Sequence, residues 1–274
     1  MEDLNLATQT LLFPELAAQQ PVSDAVSSTF ADNMRLPVHR WIRYSAGFSG
    51  AWAKHVIEKY AASGEVRVFD PFAGSGTTLI AAEDAGVSSV GIEAHPFVYR
   101  IASAKLARRS NLDEFRAKVQ AIRAAADKII PELERYPKLV RACYSDDALG
   151  ELDRLRKAIG ATDDGSPASR LGWLALVGIL RRCSSAGTAQ WQYVLPKKSK
   201  KVIMHPQYAF NEFCQMMLMD MAACSRNSSS TAKLLQTDAR DCNGVPDRYA
   251  TLVLTSPPYP NNYDYADATR LEMC

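Results

Sequence analysis

The sequence predicts an α/β fold: a parallel sheet of about four strands, interrupted by a mostly helical insertion. Three observations predict it. Residues 65–69 and 89–93 are short β-rich runs, carrying Val66, Val68 and Phe69 in one and Val90 and Ile92 in the other. Between them lie a Gly74-Ser-Gly turn, a helix-like stretch and Gly86, the order of a βαβ unit, whose crossover requires parallel strands. Two further β-rich runs, 234–237 and 249–254, return after a long stretch of helical periodicity.

In chain order, residues 1–35 are rich in Ala, Gln and Ser and read as a flexible N-terminal arm. Residues 36–110 form a first α/β part: a helix at 51–62, broken by Ser63 and Gly64, then the βαβ unit with its helix at 77–85 ended by Gly86. Helices are expected at 97–110 and 112–130 from apolar residues at helical spacing. Residues 111–232 are the insertion, with a turn at Gly165-Ser-Pro, apolar helices at 170–183 and 210–223, and a serine-rich linker at 225–231. Residues 233–274 return to the sheet.

Composition bounds the function. With 274 residues, 47% hydrophobic and 23% charged, the chain is an ordinary globular protein with room for a real core. Net charge is only +2, so nucleic-acid binding would need a local patch. No signal peptide is visible and no apolar run is long enough to span a bilayer. The six cysteines, Cys143, Cys183, Cys214, Cys224, Cys242 and Cys274, form no Cys-x-x-Cys pair. That argues against a structural zinc site or a disulfide framework, and a cytoplasmic protein without metal or membrane is expected.

Residues 70–78 read Asp-Pro-Phe-Ala-Gly-Ser-Gly-Thr-Thr. Asp70 closes a strand, where its carboxylate can order the turn; Phe72, Ala73 and Ser75 line the loop. Gly74 and Gly76 permit positive φ and close backbone approach. Thr77 and Thr78 are expected to cap the next helix, whose N-terminal amides can bind a carboxylate. Glu93, at the end of the second strand, can accept bonds from both hydroxyls of a ribose. A P-loop would need a lysine after Gly76 and a dinucleotide loop a third glycine at position 79, which is leucine. A ligand with a ribose and an amino-acid carboxylate but no pyrophosphate fits better: S-adenosylmethionine.

Residues 70–78 resemble motif I of the amino-group DNA methyltransferases. Val90-Gly-Ile-Glu-Ala-His-Pro-Phe resembles the family's motif II, with Glu93 the ribose ligand. His39-Arg-Trp-Ile-Arg-Tyr and Gly47-Phe48-Ser49 are similar to motif X, which seats the methionine end of the cofactor. Leu234-Leu-Gln-Thr-Asp-Ala-Arg-Asp resembles motif III, where Asp238 would face the adenine amino group beside Ala239. The resemblance covers residues 36–96 and 234–259, and implies a Rossmann-like S-adenosylmethionine-dependent methyltransferase sheet.

Near the C-terminus stand Ser256, Pro257, Pro258 and Tyr259. An exocyclic amine is a poor nucleophile because its lone pair is delocalised into the ring. The Ser256 hydroxyl and the Pro257 carbonyl can accept its two N–H bonds, freeing the lone pair. Two prolines stiffen the loop, and Tyr259 offers a face for an extruded base. A carbon-5 cytosine enzyme would need a thiolate after a proline, and no cysteine follows one. In the family, serine at the first position is typical of cytosine-N4 enzymes and Asp or Asn of adenine-N6 enzymes, so the expected activity is cytosine-N4 methylation of DNA in a restriction–modification setting. N6-adenine DNA and RNA base methylation are the alternatives.

From 165 to 211 there is no Asp or Glu, while Arg181, Arg182, Lys197, Lys198, Lys200 and Lys201 alternate with aromatic residues. Such a segment suits DNA contact, and its place between the cofactor and base motifs resembles a target-recognition region; a solvated basic loop is the plain alternative. The family's sheet has seven strands, of which about four are supplied here. The expectation follows that the chain is a truncated or split half, inactive or weakly active unless a second chain supplies the C-terminal strands.

Overall fold

The computed structural model describes residues 30–44, 47–188, 194–224, 231–258 and 269–273. Four strands, β1 (Arg67–Asp70), β2 (Ser88–Ile92), β5 (Ala232–Leu235) and β6 (Leu252–Val253), form one sheet in the order β5-β2-β1-β6. Every pairing is parallel, with Val68 opposite both Ser89 and Leu252, and Val90 opposite Lys233. The chain runs outward from β1 through β2 to β5 and then crosses to the other side of β1 for β6. The order therefore reverses between β1 and β6, where open α/β sheets open a crevice beyond the strand ends.

Helices α1 (Gly50–Ala61) and α2 (Thr77–Asp84) pack against each other and the sheet. Helix α2 is buried from Thr77 to Glu83, which accounts for its apolar character all round. Gly86, at φ 73°, follows its end. Ala53, Ile57, Val68, Ala81, Ala82 and Leu254 form a small core between these helices and the strands.

Helix α3 (Pro96–Leu106) leads into a helical layer of α4 (Leu112–Ala126), the short α5 (Lys138–Arg141), α6 (Asp146–Ala161), α7 (Pro167–Cys183) and α8 (Pro206–Ala223). One continuous core joins Trp41, Ile80 and Ile101 to Phe115, Leu155, Leu174, Phe210 and Phe213, so the insertion shares its interior with the sheet-side helix α3. Caps fix several starts: Asn111 accepts from the amides of Asp113 and Glu114, Ser145 from Ala148, and Ser166 from Ser169 ahead of Pro167.

The N-terminal segment is clamped to α8 by one carboxylate. Asp220, 2% exposed, accepts from the Val38 amide at 3.1 Å, the Trp41 indole at 2.8 Å and the Arg40 guanidinium. Val38 is held there at φ 67°, an uncommon angle for a β-branched residue. Just before it, residues 30–34 form a 3-10 turn in which buried Asn33 bonds the Phe48 carbonyl and the Gly50 amide.

Several elements differ from expectation. Helix α6 is an addition, since no helix is predicted between 131 and 164. Residues 186–188 and 194–199 are not bare loop: β3 (Ala186–Thr188) and β4 (Val194–Ser199) pair antiparallel, with a register irregularity between Ala186 and Gly187. Strand β6 is shorter than the predicted 249–254: Arg248 turns at φ 56° and the Tyr249 amide bonds the Pro246 carbonyl, so the start of the predicted run is a turn. Its ladder still extends by the bonds from the Thr251 amide to the Arg67 carbonyl and from Leu254 to Phe69. The last described helix, α9 (Arg270–Met273), docks on α7 by buried Leu271 and by a bidentate pair between Arg181 and Glu272. The serine linker at 225–230 and the arm at 1–29 lie outside the described residues.

Candidate active site

The C-terminal ends of all four parallel strands open into one cavity of about 770 Å³. The loop after β1 contributes Pro71 to Ser75 and Thr77, the end of β2 contributes Ile92 to His95, the loop after β5 contributes Asp238 to Arg240, and the loop after β6 contributes Ser256 and Pro258. Tyr44, Gly47, Phe48 and Val98 complete the walls. The two loops singled out in the sequence therefore meet, although 185 positions separate Asp70 from Thr255.

The tight turn after β1 needs its glycines: Gly74 sits at φ 53° and Gly76 at φ 85°. A Cβ on Gly74 would approach the Tyr44 ring at 3.2 Å. Gly76 is itself the N-cap of α2 and no side chain caps that helix. This corrects the expected capping by Thr77 and Thr78: the Thr78 hydroxyl instead donates to the Leu254 carbonyl at 3.2 Å, while Thr77 lines the cavity. The uncapped start of α2 leaves backbone N–H groups for a ligand.

Glu93 is oriented from within the chain. Its Oε2 accepts from the Gly74 amide at 3.0 Å and its Oε1 from the His95 amide at 2.8 Å. Burial raises its pKa, and these amides partly offset that. Each oxygen keeps a second lone pair, so a vicinal diol at this rim can still be recognised. Asp238 is gripped by Arg240, whose guanidinium reaches Oδ2 at 2.6 Å and Oδ1 at 3.0 Å, and that bonding draws its pKa down to about 2. Apolar Phe48, Phe72, Ile92 and Val98 beside these carboxylates suit a nucleoside with an amino-acid tail. The residues present therefore fit S-adenosylmethionine.

Not every expected residue reaches the cavity. Asp70, 1% exposed, stands behind it, with Oδ1 accepting from the Phe72 amide at 3.0 Å and the Thr255 hydroxyl at 2.7 Å. Burial raises the Asp70 pKa, while the hydroxyls of Thr78 and Thr255 and the Phe72 amide pull the other way. Ser49 is buried as the N-cap of α1, accepting from Trp52. Gly76, Thr78 and Pro257 lie outside the lining, and Tyr259 lies outside the described residues.

The basic set of the insertion is divided. Arg181 is engaged by Glu272, Arg182 lies over the Phe213 ring at 5.1 Å, and Lys200 donates to the Arg181 carbonyl. Lys201 is exposed, and Lys197 and Lys198 fall on β4.

Sequence reasoning missed Tyr44, His95 and Arg240 as wall residues and Lys105 behind the wall. His95 could have been placed from its position between Glu93 and Pro96, the first residue of α3. Lys105 gave no signal: it is fully buried on α3, 3.5 Å from the Ser75 hydroxyl, and burial followed by the repulsion of Arg108 lowers its pKa to about 7. Among the described residues no group of three or more His, Cys, Asp or Glu could hold a metal ion, and no helix is long and apolar enough to cross a membrane.

Comparison with known proteins agrees with this geometry. The family described as DNA methylase matches residues 20–104. The Type II methyltransferase M.BsoBI of Geobacillus stearothermophilus is 24% identical over 277 residues, covering 89% of this chain and 54% of that protein. The Type II methyltransferase M.AvaI of Nostoc sp. is 40% identical over 68 residues, covering 25% of this chain and 14% of that protein, and M.AvaI of Anabaena variabilis matches equally. The chain thus spans about half the length of M.BsoBI, and a much smaller part of M.AvaI. No solved structure matches it significantly. With the glycine turn, the Glu93 rim and the base loop on one cavity, these matches support an amino-methyltransferase family for this chain.

Proposed function

We propose that this chain carries the cofactor and base halves of an S-adenosylmethionine-dependent DNA methyltransferase acting on an exocyclic amine, with cytosine N4 as the target. The observation that carries the proposal is the single cavity shared by Glu93, the 71–75 loop and Ser256. The relatives named as Type II methyltransferases support the same reaction class.

Glu93 would hold the ribose, Asp238 and Ala239 the adenine, and the free amides of α2 the amino-acid carboxylate. S-adenosylmethionine supplies, when bound, a methyl group on an electrophilic sulfonium. The chain's own part is positioning. The Ser256 hydroxyl and the Pro257 carbonyl accept the two N–H bonds of the target amine, drawing the nitrogen toward tetrahedral geometry. Pro257 and Pro258 keep these acceptors fixed, so little reorganisation is needed as charge develops. Ser256 favours cytosine through the family's preference at this position. Lys197, Lys198 and Lys201 would contact DNA phosphates.

The test is methyl transfer from labelled S-adenosylmethionine to DNA and to tRNA by the chain, followed by identification of the modified base. N4-methylcytosine in DNA, lost in Ser256→Ala, is expected. N6-methyladenine would overturn the base assignment, label only in tRNA would overturn the substrate, and unchanged transfer by Ser256→Ala would overturn its role.

A further inference from the structure

The Asp70 carboxylate is the point at which the two halves of the site are fastened together. Its Oδ1 accepts from the Phe72 amide, within the loop that walls the cavity, and from the Thr255 hydroxyl, one residue before Ser256. A second tie runs beside it, from the Thr78 hydroxyl to the Leu254 carbonyl at 3.2 Å. Asp70 is 1% exposed, Thr78 is fully buried and Leu254 is 8% exposed. Burying a carboxylate costs several kcal/mol unless its bonds are made; here Oδ1 makes both of its bonds between the two loops, while Oδ2 is buried without a hydrogen-bond partner.

Thr255 is, among the described residues, the last of the base loop with a bond to the sheet. Beyond it Ser256 is half-buried, and Pro257 and Pro258 are exposed. The hydroxyl of Thr255 therefore sets where the loop leaves the body of the protein, and it does so through an atom that also positions Phe72. A ligand that packs on Phe72 and fills the 71–75 loop restrains Oδ1 and, through it, Thr255.

We propose that Thr255 is a positioning residue, and that its bond to Asp70 makes occupation of the cofactor cavity order the loop that carries Ser256. The inference rests on the cofactor site put forward above. Coupling of this kind is reciprocal: a base held at Ser256 would in turn tighten the cofactor.

Hydrogen exchange of the full chain, with and without S-adenosylhomocysteine, tests it without requiring turnover. In the wild type the ligand should slow exchange both at residues 72–78 and at the amides of Thr255 and Ser256, the latter by about five- to tenfold, the scale of one hydrogen bond. Thr255→Val, nearly isosteric, should keep the ligand-induced protection at 72–78 and lose it at 255–256. Thr255→Ser should restore it. A melting curve for each variant confirms that the fold persists. Protection at 72–78 with equal protection at 255–256 in wild type and Thr255→Val would overturn the latch alone. Absence of protection at 72–78 in the wild type would overturn the cofactor site and the latch with it.

Discussion

Replacing Lys105 by methionine should make the protein more stable at neutral pH and flatten its stability between pH 7.5 and 9.5. The ammonium is fully buried, its described partner is the Ser75 hydroxyl at 3.5 Å, and burial with the nearby Arg108 charge lowers its pKa from 10.5 to about 7. In the unfolded chain the same group stays protonated until its ordinary value near 10.5. Between the two values the unfolded state binds the extra proton, so wild-type stability rises with pH at about 1.4 kcal/mol per unit. Over the two units from pH 7.5 to 9.5 that is about 2.7 kcal/mol, and the full interval from the folded to the unfolded value bounds the neutral-pH penalty at about 5 kcal/mol. Methionine has a similar length and no charge, so its curve lacks this slope. The buried thiols act oppositely at high pH, Cys183 being pushed up to about 12 and Cys214 also raised by burial. They are present in both proteins and cancel in the difference. Urea unfolding of wild type and Lys105→Met at pH 7.5, 8.5 and 9.5 measures it. Two parallel curves would show that the folded protein keeps Lys105 charged and would refute the reasoning.

Asp220→Ala should cost about 3–5 kcal/mol, because the buried Val38 amide, the Trp41 indole and Arg40 lose their acceptor together; equilibrium denaturation giving less than about 1 kcal/mol would contradict the clamp. Gly178→Ala places a methyl 2.3 Å from Cζ of Phe213 where α7 meets α8, and should cost about 1–3 kcal/mol, recovered in part by Phe213→Leu. Charge reversal at Lys197 and Lys198 should weaken DNA binding and reduce its dependence on salt; an unchanged affinity in a filter-binding titration would remove β4 from the DNA contact.

What was legible in the sequence was local. The βαβ unit announces itself through Val68, Phe69, the Gly74 and Gly76 turn and Gly86, because each acts on its near neighbours. Helix α6 was hidden: Gly150 and Gly160 weaken its propensity, although Ser145 followed by Asp146 and Asp147 is a readable start. The pairing of β3 with β4 was hidden by the lysines and by Pro196 on β4, a residue that strands tolerate only at an edge. In the site, Glu93, Phe48 and Ser256 were readable because family motifs carry them to strand ends. The tie of Asp70 to Thr255 was not, since the partners are far apart in sequence and the bond exists only once both strands are in place. Lys105 is the extreme case: a lysine near the end of a helix that also carries Arg100 and Ser103 gives no sign of burial, and only the packing of α3 puts it inside.

The parallel pairing of β1 with β6 also has a kinetic meaning. Val68 meets Leu252 and Phe69 meets Val253, so the chain must close a loop of about two thirds of its length before the base half of the site exists. Contacts between α6 and α7 or α7 and α8 span far shorter separations and form sooner, since rates fall as contacts become less local. The helical layer and the β1–β2 unit should therefore mature first, and the strand carrying Ser256 should dock late, onto an already formed edge. During synthesis this order would leave the 71–75 loop and Glu93 in place first, waiting for the segments after β5 and β6 that supply the remaining walls.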